Sequence, residues 1–332
     1  MIRRGFLVAI PVGIAALIEL ELKTPVTGAV TIGASITGFV AFEAPARTRF
    51  WWQLGIAPLI GIAAALGAIT GDSAAVAVPS MAVFAGVAAL TVAVSRRLAI
   101  AALNVVLAFL IAQGLSLEIN DTAQILALGA LGALSQAALS LIVALIQGSV
   151  ERPHPIDGAR AALATIRSNL HLSSPTLRHA IRAGGALALA VAAYHVIDLG
   201  KHGYWIPLTV IFVLKPGRIE TDERIEMRIA GTLLGLGFAT GLAALVGENA
   251  LANTAILTIA AAFAYAMLLI EYALFTFAIT TYIVTISHAM GESAVNAVDE
   301  RAIATAIGVG IALLAFAVWR DRPAPSAAAP TA

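Results

Sequence analysis

Eight charged side chains lie between Lys215 and Arg228, in a chain that has only 20 Lys and Arg and 19 Asp and Glu among 332 residues. Glu220, Arg224 and Arg228 are spaced four residues apart, so opposite charges can meet on one face of a helix. Two interpretations follow. Arg224 and Arg228 attract the carboxylate of an anionic substrate, or they pair with neighbouring acids in a solvated helical turn. The spacing alone leaves both open.

A second group of chemically capable residues precedes this stretch. His202, Tyr204 and Trp205 start an apolar run, and Thr209 lies on the same helix face as Trp205, one turn later. One hypothesis makes these four residues a substrate site, with polar and stacking contacts for a planar molecule. The other makes the aromatic residues a lipid-facing anchor at the membrane interface.

Other chemistries have no support in the residues. The chain has no cysteine, and it contains no zinc-protease helix motif, serine-nucleophile elbow, nucleotide-phosphate loop or dinucleotide-binding glycine motif. We therefore predict no enzyme activity, no catalytic residue, no metal, no cofactor and no nucleic-acid partner. Uphill transport would have to use an ion gradient, such as a proton gradient, or a separate partner.

The elements that must position these residues are built for a lipid bilayer. Mean hydropathy is +0.93, and 12% of residues are charged, whereas soluble domains carry about a quarter. Each membrane crossing needs about 20 helical residues. The sequence predicts an all-α integral membrane protein with about twelve transmembrane helices, near 5–22, 25–42, 51–70, 74–95, 98–117, 122–148, 180–198, 203–215, 231–247, 251–270, 272–288 and 302–319. Ten or eleven spans stay open, because the tenth and eleventh runs nearly fuse at Glu271.

Basic residues orient these spans. With twelve spans and a cytoplasmic N-terminus, all Lys and Arg residues except Lys23, Lys201 and Arg301 fall on the cytoplasmic side, as the positive-inside bias requires. We predict cytoplasmic N- and C-termini. The charged stretch then forms a cytoplasmic connection.

A polar segment divides the chain into halves. We predict a first six-helix repeat at 1–149, a cytoplasmic linker at 150–178, a second six-helix repeat at 179–320 and a disordered cytoplasmic tail at 321–332. An offset of 176 residues places Gly55 on Gly231 and Gly61 on Gly237. Because six spans precede the linker, the second repeat starts on the same side of the membrane as the first, and the two repeats are parallel. Such a pair leaves a seam suited to a transport pathway.

Glycines follow the charged stretch at a spacing that lets helices approach closely. Gly231/Gly235 and Gly237/Gly241 are four residues apart, the small-xxx-small pattern of packed membrane helices. We predict close packing at these glycines, with Leu236 facing lipid.

The stretch from His202 to Gly235 resembles the signature of the fusaric acid resistance and aromatic acid exporter membrane family. That signature has an H-x-x-W start, a span, a P-x(4)-T-x(2)-R-x(3)-R turn and a G-T-x-x-G helix. The matching positions are His202, Trp205, Pro216, Thr221, Arg224, Arg228, Gly231, Thr232 and Gly235. A more distant resemblance is to plant aluminium-activated malate channels.

The resemblance implies a bacterial inner-membrane protein that exports organic anions, aromatic carboxylic acids foremost, through the pathway between the two halves. Its partners would be the lipid bilayer, the small organic anion, and either a second copy of the chain or a periplasmic adaptor subunit. A passive organic-anion channel, or a membrane scaffold or accessory subunit that transports nothing, is the alternative.

Overall fold

The computed structural model describes residues 1–22, 29–114, 122–148, 155–197, 199, 202–247, 249–289 and 294–318. Over these ranges the secondary structure is helical, without a strand, which confirms the predicted all-α class for this part of the chain. The predicted tail at 321–332, together with Lys23 and Lys201, lies outside the described residues.

Thirteen helices and one short 3-10 turn, Thr91–Ala93, make up the described fold. The helices of the first half and the linker are α1 Ile2–Leu22, α2 Ala29–Gly38, α3 Ala46–Thr70, α4 Ala74–Leu90, α5 Arg96–Gly114, α6 Thr122–Ile146 and α7 Pro155–Ser168. Those of the second half are α8 Pro175–Val196, α9 Trp205–Val213, α10 Arg218–Val246, α11 Ala250–Met267, α12 Tyr272–Ala289 and α13 Ala294–Val318.

The helices follow the predicted apolar runs, but their lengths differ. Seven helical stretches of the described residues are long and apolar enough to cross a membrane: 46–70, 74–93, 96–114, 122–146, 218–246, 250–267 and 298–318. Helices α2 and α9 have 10 and 9 residues, about 15 Å and 14 Å at 1.5 Å per residue, against a hydrocarbon core of about 30 Å. The count of about twelve transmembrane helices is therefore not confirmed.

Helix packing joins the two halves in a reciprocal way. Within the halves, α3 packs on α5 and α6, and α10 packs on α12. Between them, α4 packs on α8, and α1 packs on α11. The largest buried hydrophobic cluster draws residues from both halves, including Met81 of α4, Leu187 of α8 and Trp205 of α9.

Glu271 lies in the turn between two adjacent helices. Helix α11 ends at Met267, and α12 begins at Tyr272. The Glu271 carboxylate accepts a hydrogen bond from the backbone N–H of Ala273, 2.9 Å away, as a residue at a helix start does. Glu271 is thus a turn glutamate, and the two helices are distinct.

Candidate functional site

Helix α9 carries an aromatic ring near each end, and an arginine from another helix lies over each ring. Trp205 and Phe212 are seven residues apart, which places them on one face, about 10 Å apart along the axis. The guanidinium carbon of Arg301 lies 5.2 Å from the centre of the Trp205 ring. That of Arg228 lies 5.6 Å from the centre of the Phe212 ring. Thr209, fully buried between the rings, donates a hydrogen bond to the Trp205 carbonyl oxygen, 3.1 Å away.

Arg228 and Arg301, which we call the arginine pair, have no acidic partner in the described part of the chain. Both side chains are 0% exposed. The Arg301 guanidinium has no hydrogen-bond partner among the described residues, and the Arg228 guanidinium has only the Tyr272 hydroxyl as a polar neighbour there. The Tyr272 hydroxyl lies beside Arg228, but it donates to the Phe212 carbonyl oxygen, 3.2 Å away, and a phenol cannot neutralise a guanidinium. The positive charge of Arg228 acts electrostatically on the Arg301 guanidinium. Among the residues that the structure describes, the bundle interior therefore holds two cations without an acidic partner.

The predicted aromatic group comes together at the start of α9. The His202 ring stacks on the Trp205 ring with centres 4.0 Å apart, and Tyr204 meets Trp205 edge-on at 6.2 Å. The His202 Nδ1 pairs with the Glu300 carboxylate of α13. Because Trp205 is 0% exposed, the lipid-anchor interpretation of this residue is wrong. Substrate contact at these residues stays a prediction.

Thr221 holds the turn between α9 and α10. Its hydroxyl accepts a hydrogen bond from the Lys215 backbone N–H at 3.0 Å and donates one to the Gly217 carbonyl oxygen at 2.9 Å. A guanidinium nitrogen of Arg182, on α8, donates to the Pro216 carbonyl oxygen, 2.5 Å away. Proline and glycine break the helix here, and the hydroxyl satisfies backbone groups that the break leaves free.

The charged stretch is the first part of one long helix rather than a separate connection. Arg218 and Asp222 form an ion pair one turn apart, with N and O at 3.1 Å. Arg224 lies over the Tyr272 ring, 4.0 Å from its centre. Arg228 has no acidic partner among the described residues and lies buried within α10, so the solvated helical turn predicted for it is wrong. The physical reason is that α10 continues unbroken for 29 residues, carrying Arg228 about 15 Å beyond its start.

The glycines that follow divide into packed and open positions. A Cβ at Gly231 would lie 2.3 Å from a backbone carbonyl oxygen of α12, and one at Gly235 would lie 2.8 Å from another. Close packing at these two glycines is confirmed. Gly237 and Gly241 have no neighbour within 4 Å among the described residues, so the predicted close packing at these two glycines is wrong for this part of the chain. Leu236, predicted to face lipid, is 4% exposed and packs in a buried cluster.

A cleft of about 220 Å³ lies where α4 and α5 of the first half meet α8 and α9 of the second. We call it the seam cleft. Alanine, valine, leucine and isoleucine side chains form most of its walls, and Arg96, His179 and Lys215 also line it. Burial lowers the pKa of Lys215 to about 8; the Arg224 charge lowers it further and Glu220 opposes the shift.

The structure adds residues that sequence reasoning did not select. The four principal additions are Phe212, Lys215, Tyr272 and Arg301. The sequence does mark Arg301, because a lone cation beside an apolar run indicates a functional position in a membrane helix. The span count instead predicts that Arg301 lies at the outer surface. Phe212 had the seven-residue spacing from Trp205, which becomes informative only once the arginines lie over that face.

The described fold is that of a multi-helix membrane protein with a cationic interior. Residues 187–315 match the family model described as fusaric acid resistance protein-like, and this region contains every position of the signature quoted above. The predicted resemblance is confirmed over this region, which is about two fifths of the chain. No solved structure matches the chain.

Relatives share this kind of sequence over part of their length. An uncharacterized protein of Synechocystis sp. is 36% identical over 160 residues, covering 46% of this chain and 20% of the relative. Inner membrane protein YccS of Escherichia coli is 33% identical over 150 residues, covering 45% and 20%. Uncharacterized protein ORF2 of Neisseria gonorrhoeae is 31% identical over 157 residues, covering 47% and 37%. The matches thus cover between a fifth and about two fifths of these relatives.

Proposed function

We propose that this chain is a multi-pass inner-membrane transporter that exports organic anions, aromatic carboxylic acids foremost, along a pathway between its two halves. The fusaric acid resistance protein-like match over 187–315 supports this proposal, as does a relative named an inner membrane protein. A cationic interior in an otherwise apolar protein favours anions over cations as cargo.

Two parallel six-helix repeats are part of the proposal. The fourth helix of each half packs on the first helix of the other half, as α4 on α8 and α11 on α1. The second helix of each half, α2 or α9, is short in both. A twofold relation about an axis normal to the membrane would produce this reciprocity, and it supports a pathway at the seam.

The seam cleft is the observation that carries the proposed function. It lies between helices of both halves, and it combines apolar walls with the basic residues Arg96, His179 and Lys215. Apolar walls accept a ring, and cations accept its carboxylate. The volume, about 220 Å³, is below the roughly 300–1,000 Å³ of pockets for drug-sized ligands. A single-ring carboxylate such as benzoate suits it.

Flux of radiolabelled benzoate in sealed proteoliposomes tests this function. We expect the protein to move benzoate faster than protein-free vesicles do. Acceleration by a proton gradient would support coupled export, and flux that ignores the gradient would support the passive channel. Benzoate movement equal to that of protein-free vesicles, with folded protein present, would favour the scaffold.

A matched pair of substitutions on α4 connects this flux to the cleft. Ala88 lines the cleft, and its neighbour Val87 is 61% exposed on the outer face of the helix. We expect Ala88→Phe to reduce benzoate flux at least fivefold, because the ring fills space that the ligand needs, and Val87→Phe to retain it. Equal flux in the two variants would place the pathway elsewhere.

A further inference from the structure

We infer that the arginine pair, Arg228 and Arg301, forms a buried binding site for a small anion stripped of water, either a carboxylate or a halide. The site lies against the α9 face that carries Trp205 and Phe212. The inference rests on the proposed function only for the identity of the natural anion, because binding itself does not require transport.

The counter-charge must come from outside the described chain. Arginine stays protonated at physiological pH, so it cannot shed its charge on burial as lysine does. Glu300, next to Arg301, pairs with His202, and Asp222 on α10 pairs with Arg218. The other acids of α10, Glu220, Glu223 and Glu226, are exposed. An uncompensated buried charge is strongly unfavourable. An anion that binds here supplies the negative counter-charge that the described residues lack.

Two hydroxyls provide a second, independent sign of a ligand. Thr232 follows Arg228 by four residues on α10, and Thr305 follows Arg301 by four residues on α13. Each threonine therefore lies on the same face as its arginine. Both hydroxyls are buried, with Thr232 2% and Thr305 5% exposed, and neither has a hydrogen-bond partner in the described part of the chain. Each helix thus offers a buried arginine without an acidic partner, and a threonine hydroxyl without a hydrogen-bond partner, among the described residues.

This donor set fits an anion rather than a cation or a neutral solute. Guanidinium groups pair with carboxylates through two parallel N–H donors, and threonine hydroxyls donate to either oxygen or halide. The Trp205 and Phe212 rings bound the site with apolar surface, which excludes water and strengthens the charge interaction. A neutral aromatic ligand would leave the guanidinium and threonine hydroxyl donors of this site without acceptors.

Calorimetric titration of the purified full chain in detergent tests the site, with sodium benzoate as the probe and gluconate as the background anion. We expect saturable binding, weakened at least tenfold by Arg228→Gln and by Arg301→Gln. Thr305→Val, which keeps the side-chain shape but removes the hydroxyl, should weaken binding about threefold. Arg167→Gln removes an equal charge from an exposed position of α7 and should leave binding within twofold.

The same titrations in the Ala88→Phe background remove the contribution of the seam cleft. Binding that persists there supports the arginine-pair site even if benzoate transport fails, which keeps this inference distinct from the proposed function. Competition by chloride would show a site for small anions in general, and absence of competition would show a carboxylate site.

Variants that fold poorly are recognised by thermal unfolding in gluconate. Because Arg301→Gln removes an uncompensated charge, we expect it to unfold no earlier than the unsubstituted protein. Benzoate affinity unchanged by both arginine substitutions would overturn the inference. So would absence of both benzoate and chloride binding to the folded protein.

Discussion

We predict that benzoate binding in the seam cleft depends on pH through Lys215, which lines the cleft. Burial lowers the pKa of Lys215 to about 8, and the Arg224 charge adds to this effect while Glu220 opposes it. An anion in the cleft gains from the ammonium form only, so benzoate transport should fall as pH rises through this pKa. Arg96 and His179 are the other ionisable side chains that line the cleft.

The magnitude follows from the fraction of protein in the binding-competent form. With a pKa of about 8, Lys215 is about 90% protonated at pH 7 and about 10% protonated at pH 9, so apparent affinity falls about ninefold. This change corresponds to about 1.3 kcal/mol of binding free energy. Lys215→Arg keeps its charge across the range and should show a flat profile. Lys215→Gln should be flat and weak, because the cation is absent at every pH.

Initial rates of benzoate uptake into proteoliposomes, at low benzoate and with equal pH on both sides, measure this dependence without a gradient. Benzoate itself remains ionised throughout. A slope that persists in Lys215→Gln would assign the titration to another group, such as His179. A flat profile in the unsubstituted protein, or an identical fall in Lys215→Arg, would refute the role of Lys215.

Two further predictions concern packing and topology. Gly235→Leu should lower the free energy of unfolding by about 1–3 kcal/mol, because its side chain meets the α12 backbone, whereas Gly237→Leu, at an open position of the same helix, should be neutral; equal thermal stability of the two would contradict the packing. Ser173→Cys, in a chain without cysteine, should react with a membrane-impermeant maleimide only after cells are permeabilised, and labelling of intact cells would place the linker outside.

Local features could be predicted from the sequence because they depend on near neighbours in the chain. Apolar runs marked the helices, and Pro216 and Gly217 marked the break after α9. Each of these features depends on side-chain size or backbone freedom at a few positions. Tertiary contacts do not alter them.

Lengths and surfaces were less predictable. The run at 203–215 reads as a span, yet α9 has 9 residues, because the residues before and after it form turns that other helices hold. The sequence predicts that Leu236 faces lipid, yet its side chain on α10 packs in a buried cluster. Hydropathy indicates that a side chain favours apolar surroundings over water, but it does not distinguish lipid from protein as those surroundings.

The sequence by itself determined that this protein is helical, apolar and provided with a charged stretch that resembles a known membrane family. Only the tertiary structure decided which of those charges leave the surface. Arg228 and Arg301 lie on helices that are distant along the chain. Each lies over an aromatic ring of α9, because α10 and α13 pack together and α9 packs on α13. A periodicity describes one helix and its faces, whereas a buried charge without a partner is a property of several helices that meet.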